Sequence, residues 1–408
     1  MKLSYNRFPL PSPAERLVER LPPEQQAGFA DLLRAEGRNV DAGVVEANHR
    51  ERKRYWKHWQ EFTNPFTGVD EMLTGVPDPE RIELLTAFAE RVWRGHYGNG
   101  TRVRAGTVQV ALRAIGKTFE MDGLPNPTYR SEGKYWLQLE RLIEAYRRQD
   151  PPAQHKLAVP VSLVTYLYHL GTHSTSDKVQ AICDMSSIAF YYLLRVGEYT
   201  SHRKKDRRRT KQFRACDVTF YDARYNIIPN TAPLETLYTA KKAVMRITNQ
   251  KNGTRGSRIS HDTSGTKACP VRALARRVHY IMNHPKCTET DILSTYYSNH
   301  AKRPRPLQAS DINIMIKSAV RALKLDEKGF PPESVSSHSL RAGGAMAMHL
   351  NNIDRDKIRK QGRWSSDTFL MYIHEQISAF SAGLSAQMSK DIGWFNIDGP
   401  RVMRPRTN

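Results

Sequence analysis

His338-Ser-Leu-Arg-Ala-Gly-Gly-Ala-Met-Ala-Met-His-Leu350 reads as a single helix with two distinct halves. His338 and Arg341 are three residues apart, so they share one helical face. Ala342, Gly343, Gly344 and Ala345 carry little or no side chain, which lets this helix press closely against a neighbouring backbone. A second stretch lies just downstream: Gly362-Arg-Trp-Ser-Ser-Asp-Thr-Phe-Leu-Met-Tyr-Ile-His374. Ser365 or Ser366 can cap a helix over 365–378 that would carry Tyr372 on its third turn. Each piece alone also fits an ordinary role, a polar surface pair in one case and a core tyrosine with a wet hydroxyl in the other.

Upstream, Asp217–Ile228 and Ala243–Ser260 have strand character, and Asn252-Gly253 is a hairpin signal because both residues tolerate positive φ. Lys251 stands at the tip of that hairpin, within Asn249-Gln-Lys-Asn-Gly-Thr-Arg255. Lys241 and Lys242 follow a long insertion, about 229–240, that can shift the strand boundaries. Earlier still, the apolar helix Ile188–Leu194 runs directly into Arg195, with Glu198 three residues on. An arginine in that position needs an anionic partner, either Glu198 or a ligand. Further helices are expected near 270–284 and 310–323.

The order Arg195, hairpin Lys251, His338-x-x-Arg341 and Gly362-x-Trp364 before Tyr372 resembles the catalytic signature of tyrosine recombinases. The match covers roughly residues 160–390, and its two C-terminal motifs look most like the eukaryotic branch that includes Crypton mobile-element recombinases. By this resemblance Arg195 and Arg341 clamp a phosphate, Lys251 is the general acid, His338 is the first histidine and Tyr372 is the nucleophile. Trp364 takes the position that is His in many bacterial members, although the usual bacterial register selects Arg363 instead. Glu198 would orient its neighbours from behind the site.

These residue types suit such chemistry on their own terms. Attack on a phosphodiester builds negative charge on its non-bridging oxygens, which guanidinium forks can hold with directional hydrogen bonds. A phenol with a pKa of about 10 becomes a useful nucleophile only beside cations that favour the phenolate. An ammonium can protonate the departing 5′ oxygen. An indole N–H can donate to a phosphate oxygen while its ring excludes water. No metal-ligand cluster is visible in the sequence, and the implied mechanism uses no metal and no cofactor.

Composition agrees with a polyanionic partner. Lys and Arg number 63 against 41 Asp and Glu, a formal charge of +22 over 408 residues. Arg203, Lys204, Lys205, Arg207, Arg208, Arg209 and Lys211 form a run dense enough to grip duplex phosphates, and it also resembles a nuclear import signal. The expected location is therefore nuclear in a eukaryote and otherwise cytoplasmic with the DNA. No stretch approaches the ~20 apolar residues of a membrane span. The first ten residues lack the apolar region of a secretion signal, and four scattered cysteines suggest neither a zinc knuckle nor a disulfide framework.

The expected fold is mainly α with a small antiparallel sheet: a helical core-binding domain and an α/β catalytic domain closing as a C-shaped clamp. Residues 1–44 would form an accessory arm, 45–150 the all-α DNA-binding domain, 156–398 the catalytic domain and 399–408 a basic tail. Four helices are expected in the first domain: about Val45–Phe62, one over Leu84–Trp93, one from Val108 with Thr107 as N-cap, and Tyr135–Arg148. The aromatic stripe Tyr55, Trp56, Trp59 and Phe62 is read as core. The resemblance implies double-stranded DNA as partner and a homo-oligomer on it, a dimer or tetramer docked through a C-terminal helix near 379–391. The rival readings are a type IB topoisomerase-like relaxase and a domesticated DNA-binding protein without catalysis.

Overall fold

Helical periodicity dominates the sequence, and the computed structural model is correspondingly mainly α with small antiparallel sheets. It describes residues 17–42, 46–131, 133–152, 156–201, 211–248, 256–266, 268–366, 370, 385 and 388–389. The chain divides between residues 153 and 154 into two compact units, each with its own hydrophobic core.

The first unit contains helices α1 (Pro23–Ala42), α2 (Glu46–Thr63), α3 (Asp78–Trp93) and α4 (Ala105–Met121), the strands β1 (Tyr129–Ser131) and β2 (Lys134–Tyr135), and helix α5 (Leu137–Gln149). On α2 the aromatic stripe faces inward: Tyr55, Trp59 and Phe62 are buried, while Lys53, Arg54 and Lys57 are exposed. Trp59 satisfies its indole N–H by donating to the Glu71 carbonyl at 2.8 Å, so a large apolar ring is buried without an orphaned donor.

Several expectations change here. The arm contains a 20-residue helix, α1. The domain is not all-α, because β1 and β2 pair as a short antiparallel hairpin, and the fourth helix starts at Leu137 rather than Tyr135. Thr107 is not the N-cap of α4. That helix begins at Ala105, whose N–H donates to both carboxylate oxygens of Asp150, each at 3.1 Å. A cap supplied from 45 residues away leaves no local signature.

In the second unit, α6 (Val161–His173) packs against α7 (Asp177–Tyr191), with Ser176 capping α7. From Ala181 to Phe190 every residue of α7 is buried, as expected of a helix surrounded by its neighbours. Its buried Asp184 accepts from the guanidinium of Arg276 on α9 (Pro270–Asn283), which offsets the cost of burying the carboxylate.

The stretch expected as one strand over 217–228 is broken. A 3₁₀ turn occupies Ala215–Asp217, followed by β3 (Val218–Tyr221) and β4 (Ile227–Ile228). The Asp222 carboxylate accepts from the backbone N–H groups of Arg224 and Asn226 at 2.8 Å, folding the chain back between the two strands. The 229–240 insertion holds a short helix, α8 (Leu234–Tyr238). Strands β5 (Lys242–Arg246) and β6 (Arg258–Asp262) pair antiparallel as expected, and the sheet order is β4-β3-β5-β6. The connecting residues 249–255 lie outside the described residues.

A second hairpin, β7 (Thr295–Ser298) with β8 (Arg303–Pro306), then leads to α10 (Ala309–Ala322), α11 (Ser337–Leu350) and α12 (Arg355–Gly362). Neither that hairpin nor α12 was anticipated. The small residues of α11 do what their size allows. A Cβ on Gly343 would lie 2.3 Å from the Val159 carbonyl oxygen, and one on Gly344 would lie 2.2 Å from that of Phe190. Two glycines therefore let α11 seat on the end of α7.

Candidate active site

Helix α7 stops at Tyr191, three residues before the end expected for it, because Leu193 adopts a left-handed conformation with φ of 48°. A non-glycine residue held there costs on the order of 1–3 kcal/mol, so its surroundings must fix it. Its carbonyl is the reason it matters, since that oxygen accepts hydrogen bonds from both Arg341 and Arg363.

Immediately beyond, Arg195 opens a 3₁₀ turn over Val196–Glu198. The Glu198 carboxylate accepts from the Arg195 backbone N–H at 2.9 Å and from its Nη1 at 3.3 Å. Arg363 ends α12 in a left-handed conformation and sends both terminal nitrogens to Glu198, each at 3.0 Å. Its carbonyl in turn accepts from Arg195 Nη2 at 3.4 Å. Burial pushes the Glu198 carboxyl up, but the Arg363 charge and the hydrogen bonds from Arg363 and Arg195 outweigh it, so the carboxyl is held below its usual range.

Helix α11 supplies the next two groups. Ser336 caps it, accepting from the His338 N–H at 3.3 Å, and Arg341 lies one turn further along. Arg341 is only 1 % exposed; it donates to the carbonyls of Leu193 and Gly362, with the Trp364 ring 4.3 Å from its guanidinium carbon. Gly362 makes room for that ring, since a Cβ there would fall 1.7 Å from it. His338 keeps an exposed surface, yet enough protein crowds its ring for desolvation to lower its pKa, and the charges of Arg341 and Arg195 lower it further.

The structure thus brings Arg195, Glu198, His338, Arg341 and Trp364 together from three distant stretches of chain. It also adds Arg363 as the partner of Glu198, a role the sequence reading had not given it. Nothing local marks that role, because the pair is separated by 165 residues. Lys251 and Tyr372 lie outside the described residues, as do Arg203–Arg209 of the basic run and most of the helix expected over 365–378. Lys211 is described and exposed. Among the described residues no group of His, Cys, Asp and Glu side chains is arranged to hold a metal ion. No helix among them is long and apolar enough to cross a membrane.

No family model and no curated protein matches the sequence. Solved structures do resemble it at low identity. The Tn1549 transposon integrase (aa 82-397) in complex with circular intermediate DNA is 11% identical, with 87% of this chain and 98% of that chain covered and a TM-score of 0.46. A lambda integrase(75-356) dimer bound to a COC' core site is 14% identical over 85% of this chain and 95% of that one, with a TM-score of 0.44. The XerH site-specific recombinase bound to palindromic difH substrate is 13% identical over 80% and 76%, with a TM-score of 0.45. At such values the chemistry of the site has to be judged from its own geometry.

Proposed function

We propose that this chain is a tyrosine recombinase, cleaving and rejoining DNA strands through a 3′-phosphotyrosyl bond to Tyr372. One observation carries the reading. Arg195 and Arg341, 146 residues apart, are tied into one network through Glu198, Arg363 and the Leu193 carbonyl, with His338 one turn before Arg341 on α11. A cluster of that composition is suited to a phosphate whose charge grows during the reaction.

In this reading Arg195 and His338 present their open faces to the phosphate. Arg341 joins them once the Trp364 indole shifts, because the guanidinium is otherwise enclosed by that ring and two carbonyls. Trp364, rather than Arg363, then fills the position next to the phosphate, since both terminal nitrogens of Arg363 are committed to Glu198. The Tyr372 phenolate attacks phosphorus, and the 5′ oxygen leaves with a proton from Lys251. The reverse attack by another strand's 5′ hydroxyl restores the phosphodiester and frees Tyr372. The phosphotyrosine conserves the bond energy, so no ATP is consumed, and the charge that stabilises the transition state comes from the arginines rather than from a metal.

The finer picture belongs to the same proposal. Duplex DNA would be the substrate, protomers would pair as a dimer of dimers through the C-terminal helix, and the product would be integration or excision of a mobile element. Incubating the protein with nicked suicide duplexes carrying its own element's ends tests the chemistry. A covalent protein–DNA adduct that disappears in Tyr372→Phe is expected. Failure of the native protein to form any adduct rejects the enzymatic reading, and relaxation of supercoils without strand joining would assign the chain to the type IB relaxases instead.

A further inference from the structure

His261 lies on β6, paired with Ala243 of β5, outside every motif that defined the site. Its Nε2 is 2.6 Å from the carbonyl oxygen of Tyr191, the last residue of α7. The same nitrogen is 2.8 Å from the Gln361 amide in the last turn of α12. Tyr192 meets the imidazole edge-on, with ring centroids 4.7 Å apart, and Tyr191 does so at 6.0 Å. A carbonyl only accepts, so Nε2 must carry the hydrogen; the atom of Gln361 nearest to it is the amide nitrogen, and a half-turn of that amide, whose two ends are alike in shape, brings its oxygen to accept the same N–H. Desolvation holds the ring's pKa below its ordinary value, which favours this neutral, singly protonated form.

The position of this bridge gives it meaning. Arg341 is held between the carbonyls of Leu193 and Gly362. His261 spans the same two strips of chain, at Tyr191, two residues before the first carbonyl, and at Gln361, one residue before the second. The last carbonyls of a helix have no partner within it, and that of Tyr191 finds one in His261. One imidazole from the sheet thus joins the ends of the two helices that Arg195 on one side, and Arg363 and Trp364 on the other, follow in the chain.

We propose that His261 is a positioning residue that braces the ends of α7 and α12 against each other and so sets the spacing of the two carbonyls that orient Arg341. Its consequence for chemistry rests on the recombinase reading above; the brace itself does not. Misplacing a catalytic group by about 1 Å can cost on the order of 100-fold in rate.

The test uses the full chain with His261→Phe, which keeps an aromatic ring but loses the N–H, and His261→Gln, which keeps a donor. Hydrogen exchange would be read in peptides covering 188–200 and 355–364, where Leu194 N–H donates to Ala189 and Trp364 N–H to Arg359. Single-turnover cleavage of the suicide duplex and DNA affinity would be measured beside it. The expected result for His261→Phe is at least tenfold faster exchange in both peptides, unchanged exchange in α9, DNA affinity within twofold and cleavage slowed about 10- to 100-fold. His261→Gln should recover much of both losses. If His261→Phe proves unfolded, His261→Gln paired with Gln361→Leu gives the same comparison.

Native exchange in both peptides would overturn the brace whatever the cleavage rate. Faster exchange with native cleavage would overturn its positioning role. If the unaltered protein forms no adduct, the recombinase reading fails, and exchange alone decides whether the brace exists.

Discussion

Glu198 decides more than its single charge suggests. It is 2 % exposed and receives Arg363 through two bonds at 3.0 Å while also holding Arg195. Glu198→Gln keeps the shape and removes the charge, leaving the Arg363 guanidinium, 7 % exposed, without its counter-ion. Breaking one side of such a buried pair costs about 3–5 kcal/mol, so urea unfolding at neutral pH should show a loss of that order. The folded carboxyl titrates below its ordinary value, whereas the unfolded chain takes up the proton near pH 4.3. The stabilisation is therefore complete above that pH and is lost as the solution is acidified through the lower, folded value. The gap between the native protein and Glu198→Gln should narrow accordingly. At this scale the sequence was a partial guide. Arg195 with Glu198, and His338 with Arg341, were visible because three-residue spacings are local. The Leu193 carbonyl was not, because leucine carries no mark of a left-handed backbone, and the Arg363 partnership depends on tertiary contact.

Between elements, the controlling contact is α11 against the end of α7. Gly344 meets the Phe190 carbonyl where no side chain fits, and a Cβ would need to displace backbone rather than a flexible side-chain tip. Gly344→Ala gains intrinsic helix propensity of about 1 kcal/mol, yet it should lower stability by about 1–3 kcal/mol as the helices are forced apart. Urea midpoints would show the loss, and a midpoint raised above the native value would mean that α11 does not seat there. The same shift would carry Arg341 away from the Leu193 carbonyl. Elements defined by periodicity were readable from the sequence, namely α2, α3, α4, α5, α9, α10 and α11, as was the antiparallel pairing of β5 with β6. Those set by non-local partners were not. The start of α4 is fixed by Asp150, β1 and β2 are three and two residues long, and α12 has only Ile358 and Gly362 buried along eight residues.

For the molecule as a whole, the charge of +22 means that, on the recombinase reading proposed above, DNA affinity would depend on solution conditions as much as on the site. Each phosphate contact made by Lys or Arg contributes about −0.9 to the slope of log affinity against log salt, so binding should weaken steeply as salt rises. How much of that slope belongs to the run Arg203–Lys211 can be separated from catalysis. Contacts made equally to bound substrate and to the transition state strengthen binding without speeding the chemical step. Replacing Arg203, Lys204, Lys205, Arg207, Arg208, Arg209 and Lys211 by Gln should therefore flatten the slope by several units and weaken binding at all sequences alike. The single-turnover cleavage rate at saturating DNA should stay near native, since Arg195, His338 and Arg341 are untouched. An unchanged slope would show that the run makes no phosphate contacts and would turn attention to other exposed basic residues, such as Lys53, Arg54 and Lys57 on α2. A lost cleavage rate at saturation would instead place the run within the catalytic machinery, because non-specific grip alone does not alter the chemical step.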